Sequence, residues 1–244
     1  MSETFLVDGR RVGADECRRL FDTPLPTRMR AVLERVHGPR LLDLGCYDAS
    51  FVAAIRATRS DIDAVAADFD EENLRIARFL RPELDDRIVY ASAYDLPFED
   101  ASFDCVTLQE VIEHLEGAAT ALKEVNRVLR PGGTLLLSTP NAYYWRDAIA
   151  HARSELAARV KRRPPSLANA IFFAESSWNR HIYAWTPPTM LTLLEVNGFS
   201  YVWHGYSHDE RRLGGRLVMR IAPFLAPVVV LEARQRSDAP KELT

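Results

Sequence analysis

From Arg40 onward, short apolar runs rich in Val, Ile and Leu take turns with segments of helical period. Residues 40–45, 62–67, 87–92, 103–109, 133–139, 199–206 and 228–234 have the length and β-branched content of strands. Residues 50–58, 71–81, 118–130 and 187–197 read as helices. In the third helix the apolar face is Leu122, Val125, Val128 and Leu129, and Pro131-Gly132-Gly133 stops it before the next strand. Strands that alternate with helices this way lie parallel, with the helices packed over both sides of one sheet. Right-handed crossovers then wind that sheet in two directions, so the expected fold class is α/β with a doubly wound sheet.

Residues 1–39 read as an N-terminal helical extension broken at Pro24, Pro26 and Gly38-Pro39, and 40–244 as one ligand-binding domain. Within it, about 143–186 forms an insert that opens helical, carries Lys161-Arg162-Arg163-Pro164-Pro165, and continues into Phe172, Phe173, Trp178, Tyr183 and Trp185. Six basic residues against two acids between 143 and 163 give the insert a local +4, whereas 13 acids and 4 arginines between 60 and 104 give −9. The whole chain totals −3, which argues against a nucleic-acid partner, since that needs a strong basic excess. The most apolar stretch, 221–231, is broken by Pro223 and Pro227 and is shorter than the ~20 residues of a membrane helix. No membrane span is expected. Three cysteines, Cys17, Cys46 and Cys105, make neither a disulfide framework nor a zinc site. The expected location is cytoplasmic, and a homodimer is an open expectation.

The first strand of the sheet runs into Leu42-Asp43-Leu44-Gly45-Cys46-Tyr47-Asp48-Ala49-Ser50-Phe51. A glycine turn between a parallel strand and a helix lets backbone N–H groups approach a ligand closely. The second strand ends at Asp68, 25 residues after Asp43, where a doubly wound fold places an acid that accepts both hydroxyls of a ribose. The competing reading of Asp68 is a helix N-terminal acid, because Asp70, Glu71 and Glu72 follow it. An NAD(P)-dependent oxidoreductase would use the same acid, but its pyrophosphate needs small residues where Tyr47 and Ala49 stand.

These residues resemble the class I S-adenosylmethionine (SAM) methyltransferases. The likeness continues in order through Ser92-Ala93-Tyr94-Asp95-Leu96-Pro97-Phe98, Phe103-Asp104-Cys105-Val106, Glu110-Val111-Ile112-Glu113-His114-Leu115 and Arg127-Val128-Leu129-Arg130-Pro131-Gly132-Gly133, covering about residues 40–235. The resemblance implies a Rossmann-like, mostly parallel seven-stranded sheet with an antiparallel last strand, and an insert that acts as an acceptor lid. It implies SAM as cofactor, with Asp43, Gly45 and the Tyr47 turn facing its methionine part and Asp68 its ribose. Ser92 and Ala93 would meet the adenine edge and Gln109 the amino-acid moiety. There are two departures from the commonest motif: Tyr47 and Ala49 stand where it has glycine, and Ser92 where it has aspartate. The first departure predicts a turn less dependent on positive φ, with Tyr47 partly closing the pocket.

Glu110, Glu113 and His114 share one face if a helix or turn opens after the fourth strand. Oxygen-rich ligation with one imidazole suits Mg²⁺ or Mn²⁺. The same Glu-x-x-Glu-His order is found in ubiquinone-biosynthesis O-methyltransferases and small-RNA 2′-O-methyltransferases. That local resemblance implies a metal on Glu110, Glu113, His114 and a later histidine, His181. A metal there would lower the pKa of an acceptor hydroxyl; without one, His114 or His181 is the candidate general base, and Glu113 completes the catalytic set. The same acids also fit a structural role, since the helix dipole favours them in a first turn.

The aromatic residues of the insert suit the faces of a sugar ring or a planar phenol. The expected activity is O-methylation of a saccharide or another small hydroxylated metabolite, with possible metal-free transfer to N or C, an oxidoreductase, or a SAM-binding protein without turnover as the alternatives.

Overall fold

The chain opens on strands rather than helices. In the structure, a computed structural model that describes residues 3–145, 149, 152–153, 156, 159–160, 182–207 and 220–236, β1 (Thr4–Val7) and β2 (Arg10–Gly13) form an antiparallel hairpin. Its two-residue turn is Asp8-Gly9, with φ of +48° and +75°. Two left-handed residues match the twist of the flanking strands, and Asp-Gly is the dipeptide that adopts them most readily. The hairpin corrects the expectation of a helical extension at its start, and helices α1 (Ala14–Phe21) and α2 (Thr27–Leu33) follow it.

The alternation from Arg40 then appears largely as read: β3 (Arg40–Leu44), α3 (Ser50–Thr58), β4 (Asp63–Asp68), α4 (Glu71–Leu80), β5 (Ile88–Tyr90), β6 (Phe103–Gln109), α5 (Ala118–Val128), β7 (Leu129–Pro140), α6 (Pro187–Val196), β8 (Phe199–Ser207) and β9 (Val228–Gln235). Seven strands lie in the order β5-β4-β3-β6-β7-β9-β8. β9 points opposite to the other six strands, antiparallel to both β7 and β8, between which it is wedged. The order reverses between β3 and β6, which opens a crevice at their carboxyl ends.

The strands carry apolar residues on both faces because both faces are covered. Leu41, Cys105, Leu136 and Val230 point to one side, where Val32 of α2, Phe51 and Ile55 of α3, and Leu74 and Ala77 of α4 pack. Their chain neighbours Leu42, Val106, Leu137 and Leu231 point to the other, under Leu122 and Val125 of α5 and Met190 and Leu194 of α6. α4 is buried on two sides, since its Ile76 joins Phe5, Val7, Val12 and Cys17 in a separate cluster under the hairpin. Phe5 stacks on Phe79 at 4.4 Å, and Glu72 accepts a bond from the Leu6 amide at 2.6 Å.

One arginine ties the loop after β5 to α5. Arg127 donates to the carbonyls of Leu96 and Phe98 at 2.9 and 2.8 Å, and pairs with Glu124 and Asp100. Glu124 in turn accepts from the Leu96 amide at 2.9 Å. Arg127→Ala strands both carbonyls and is expected to lower stability by about 2 kcal/mol; urea unfolding of the two proteins measures it.

Candidate active site

The crevice begins where β3 stops. Gly45 has φ +82°, and a Cβ there would lie 2.3 Å from Cγ2 of Val111, so the turn after β3 and the turn after β6 touch through this glycine. The amides of Gly45 and Cys46 both donate to the carbonyl of Ala67 at 2.8 and 3.0 Å, pinning the turn to β4. Tyr47 and Ala49 follow with φ of +50° and +55°. This overturns the expectation that their side chains make the turn less dependent on positive φ: the left-handed geometry is kept, at about 1 kcal/mol for each non-glycine residue. The Tyr47 amide donates to Oδ2 of Asp68 at 3.0 Å, and its ring meets Phe21 edge-on at 5.3 Å.

Two carboxylates line the crevice floor. Asp43, 3% exposed, accepts at Oδ1 from the Thr107 hydroxyl at 2.6 Å and from Gln109 Nε2 at 3.4 Å. Its carboxyl is pushed up to about 6, first by burial, against those two hydrogen bonds, and further by the negative charges of Asp68 and Asp48. Asp68 accepts at Oδ1 from the Asp70 amide and Asn73 Nδ2, at 3.0 and 3.3 Å, and burial raises its pKa as well. The helix-cap reading falls to its neighbour: Asp70 accepts from the amides of Glu72 and Asn73 at 2.8 and 3.2 Å. Three buried aspartates around one turn favour a cationic ligand and oppose a pyrophosphate. Gln109 Oε1, buried and without a donor, is an open acceptor at the end of β6. At the end of β5, Ser92 Oγ accepts from the Tyr94 amide at 3.2 Å, and Ala93 is half-buried beside it.

Glu110 does not start a helix. Its φ is +57°, and only a short 3₁₀ turn, Ile112–His114, follows. The sharp bend that lets Val111 reach Gly45 breaks the helical register in which the three side chains would share a face. Glu113 is 0% exposed; its Oε2 accepts from Thr139 Oγ1 at 3.1 Å, while Oε1 is buried without a donor and lies 3.9 Å from His114 Nε2. Glu110 accepts from Ser138 Oγ at 3.2 Å. Burial, then the charge of Glu110, raises Glu113 well above the usual carboxylate range; burial raises Glu110, opposed by Arg28 of α2. Among the described residues no three His, Cys, Asp or Glu side chains converge to hold a metal ion. The donors that are described therefore do not fit the metal set implied by Glu-x-x-Glu-His, and His181 lies outside the described residues.

Of the insert, the described part closes on this site. The amides of Ile182 and Tyr183 donate to the Glu113 carbonyl at 2.8 and 3.2 Å, and the rings of Tyr183 and Trp185 stack at 5.2 Å. Arg153 and Arg159 are exposed; Arg146, Lys161, Arg162, Arg163, Phe172, Phe173 and Trp178 lie outside the described residues. Thr107, Arg28 and Phe21 escaped the sequence reading. Thr107 could have been found from the parallel pairing of β3 with β6, which sets it opposite Asp43; nothing local marks the other two. No helix among the described residues is long and apolar enough to cross a membrane.

Residues 42–137 match the family described as "Methyltransferase domain". A demethylmenaquinone methyltransferase of Clavibacter sepedonicus is 34% identical over 202 residues, 79% of this chain and 76% of the relative. A ubiquinone biosynthesis O-methyltransferase of Xanthomonas campestris pv. campestris is 31% identical over 181 residues, 72% of this chain and 73% of the relative. In fold the chain is similar to a Haloferax volcanii methyltransferase solved in complex with the Trm112 activator, with a TM-score of 0.63, 19% identity, and coverage of 86% and 89% of the two chains. Shared sequence over some three-quarters of two such enzymes makes this chain a member of the class I SAM-dependent methyltransferases and an enzyme of that type.

Proposed function

We propose that the enzyme transfers the SAM methyl group to a hydroxyl oxygen of a small ring-bearing acceptor. The observation that carries the cofactor side is the cluster of buried Asp43, Asp48 and Asp68 around the Gly45 turn, a field suited to a sulfonium and an ammonium group. In this reading Asp43 and Gln109 hold the amino-acid end, the Gly45–Tyr47 turn covers the methionine part, Asp68 takes the ribose hydroxyls, and Ser92 and Ala93 border the adenine. Bound SAM supplies an already activated methyl group, so the protein's task is to aim the acceptor in line with the methyl–sulfur bond and to exclude water.

For the acceptor side we take Glu113 and His114, in the turn after β6, with Tyr183 bonded to the Glu113 backbone and Trp185 against Tyr183. His114 takes the proton leaving the acceptor hydroxyl, and Glu113 orients that imidazole; His181 is a second candidate for the same role. The aromatic flank supports a flat ring, and the names of the two relatives favour a quinol-like phenol over the saccharide that the sequence first suggested. No metal is required by this arrangement. Turnover insensitive to EDTA is expected; loss in EDTA with recovery in Mg²⁺ or Mn²⁺ would reinstate a metal.

Calorimetry with SAM and with NADH tests the cofactor: SAM binds and NADH does not. Tight NADH binding without SAM affinity would sink the reading. Glu113→Ala and Glu113→Gln are expected to keep SAM affinity within about twofold while costing turnover on the order of a hundredfold. A loss of SAM affinity in these variants would make Glu113 a structural residue.

A further inference from the structure

We propose that Phe21 is a positioning residue for the cofactor turn: its ring braces Tyr47 in the left-handed conformation, so that the N-terminal hairpin and α1 help to shape the site. The inference rests on the reading of that turn as the SAM site.

Tyr47 stands at φ +50°, a conformation that glycine enters freely and a bulky residue does not. Something outside the turn must hold it there. Its amide is fixed to Asp68 Oδ2 at 3.0 Å, and on the side-chain end its ring meets Phe21, the last residue of α1, at 5.3 Å and 64°. Phe21 is in turn held by a clamped unit. Cys17, one turn earlier on α1, is wholly buried with Phe5, Val12 and Ile76, and Phe21 packs against that cluster. Arg18 lies over the Phe79 ring at 4.5 Å, and Arg75 of α4 lies over Phe5 at 4.4 Å while bonding the Thr4 carbonyl. The hairpin, α1 and α4 therefore pack into one support, and Phe21 is its contact with Tyr47. Glycine at position 47 would need no such support, so the departure from the common motif and the presence of the brace explain each other.

The test is an epistasis experiment on S-adenosylhomocysteine binding, measured by calorimetry on the full chain. Phe21→Ala is expected to raise Kd roughly three- to tenfold, the worth of an edge-on aromatic pair. Leu20→Ala, a change at an exposed neighbour (42%) on the same helix, should leave Kd within about twofold. In a Tyr47→Gly background, Phe21→Ala should have no further effect, because glycine holds the turn unaided. An equal loss in both backgrounds would overturn the proposal and make Phe21 a direct contact or a general stabiliser. Hydrogen exchange on the ligand-free proteins gives an independent readout: the Tyr47 amide loses protection in Phe21→Ala and keeps it in Leu20→Ala. If the unmodified chain binds no S-adenosylhomocysteine, the cofactor reading fails, while retained Tyr47 protection in Phe21→Ala would overturn the brace itself.

Discussion

Asp43→Asn is expected to make the ligand-free protein more stable at pH 7.5 and, in the same molecule, to weaken SAM binding at least about tenfold. Burial holds the Asp43 carboxyl at about 6 in the folded chain against an ordinary 3.8. Below pH 4 the group is protonated in both the folded and unfolded states and costs nothing. Between pH 4 and 6 the unfolded chain releases a proton that the folded chain keeps, so stability falls as pH rises. Above about 6 the folded protein carries the full penalty of a buried charge, on the order of 3 kcal/mol. Asparagine keeps an acceptor for Thr107 and removes the charge, so melting curves of the two proteins should diverge between pH 4 and 6 and stay apart above it. In the proposed reading a cationic cofactor repays that penalty. SAM affinity of the unmodified chain should therefore fall by up to about tenfold per pH unit below pH 6. A variant that is less stable at pH 7.5, or that binds SAM normally, would contradict the role given to Asp43.

Asp68→Ala carries the other large effect. Two ribose hydroxyls bonded to one carboxylate are worth roughly 1.5–3 kcal/mol each, so Kd for SAM should rise by at least about a hundredfold. The change also strands the Tyr47 and Asp70 amides and Asn73 Nδ2, which share that carboxylate. Ligand-free stability should drop with it, the reverse of Asp43→Asn. Asp68→Asn preserves an oxygen for some of these donors and is expected to fall between. Calorimetry and thermal unfolding on both variants measure the two effects, and a Kd within about threefold of the unmodified chain would remove Asp68 from the ribose.

Most of the sheet was legible because its signals are local. Runs such as Arg40–Leu44 and Phe103–Gln109 carry apolar residues at both odd and even positions, a pattern that suits a strand covered on both faces, and the helices between them keep one apolar side. The hairpin was equally local but was passed over, although Asp8-Gly9 is a strong turn signal. What stayed hidden depended on distance in sequence. The left-handed φ of Tyr47 and Glu110 could not be read from their residue types, because support for Tyr47 comes from Phe21 and the bend at Glu110 goes with the contact of Val111 with Gly45. The positions of Asp43, Asp68 and Gln109 at strand ends followed from the topology. Their hydrogen-bond partners did not, and neither did the depth of burial that raises Asp43.

The place of β9 has a consequence for how the protein is made. This strand bonds to β7 from Thr134↔Arg234 to Pro140↔Val228, and to β8 along most of its length, so neither neighbour is satisfied before it arrives. On a ribosome, β7 waits as an open edge while the next ninety or so residues are synthesised, several seconds or more at about 5–20 residues per second. β8 has no place in the sheet until residue 235 has left the exit tunnel. Nascent chains stalled before Val228 would carry two unpaired edges of the kind that recruit other strands. Closing the sheet therefore waits for residues 228–235, and nascent chains that have not yet reached them, crowded on one message, are the state in which this fold is most exposed to aggregation.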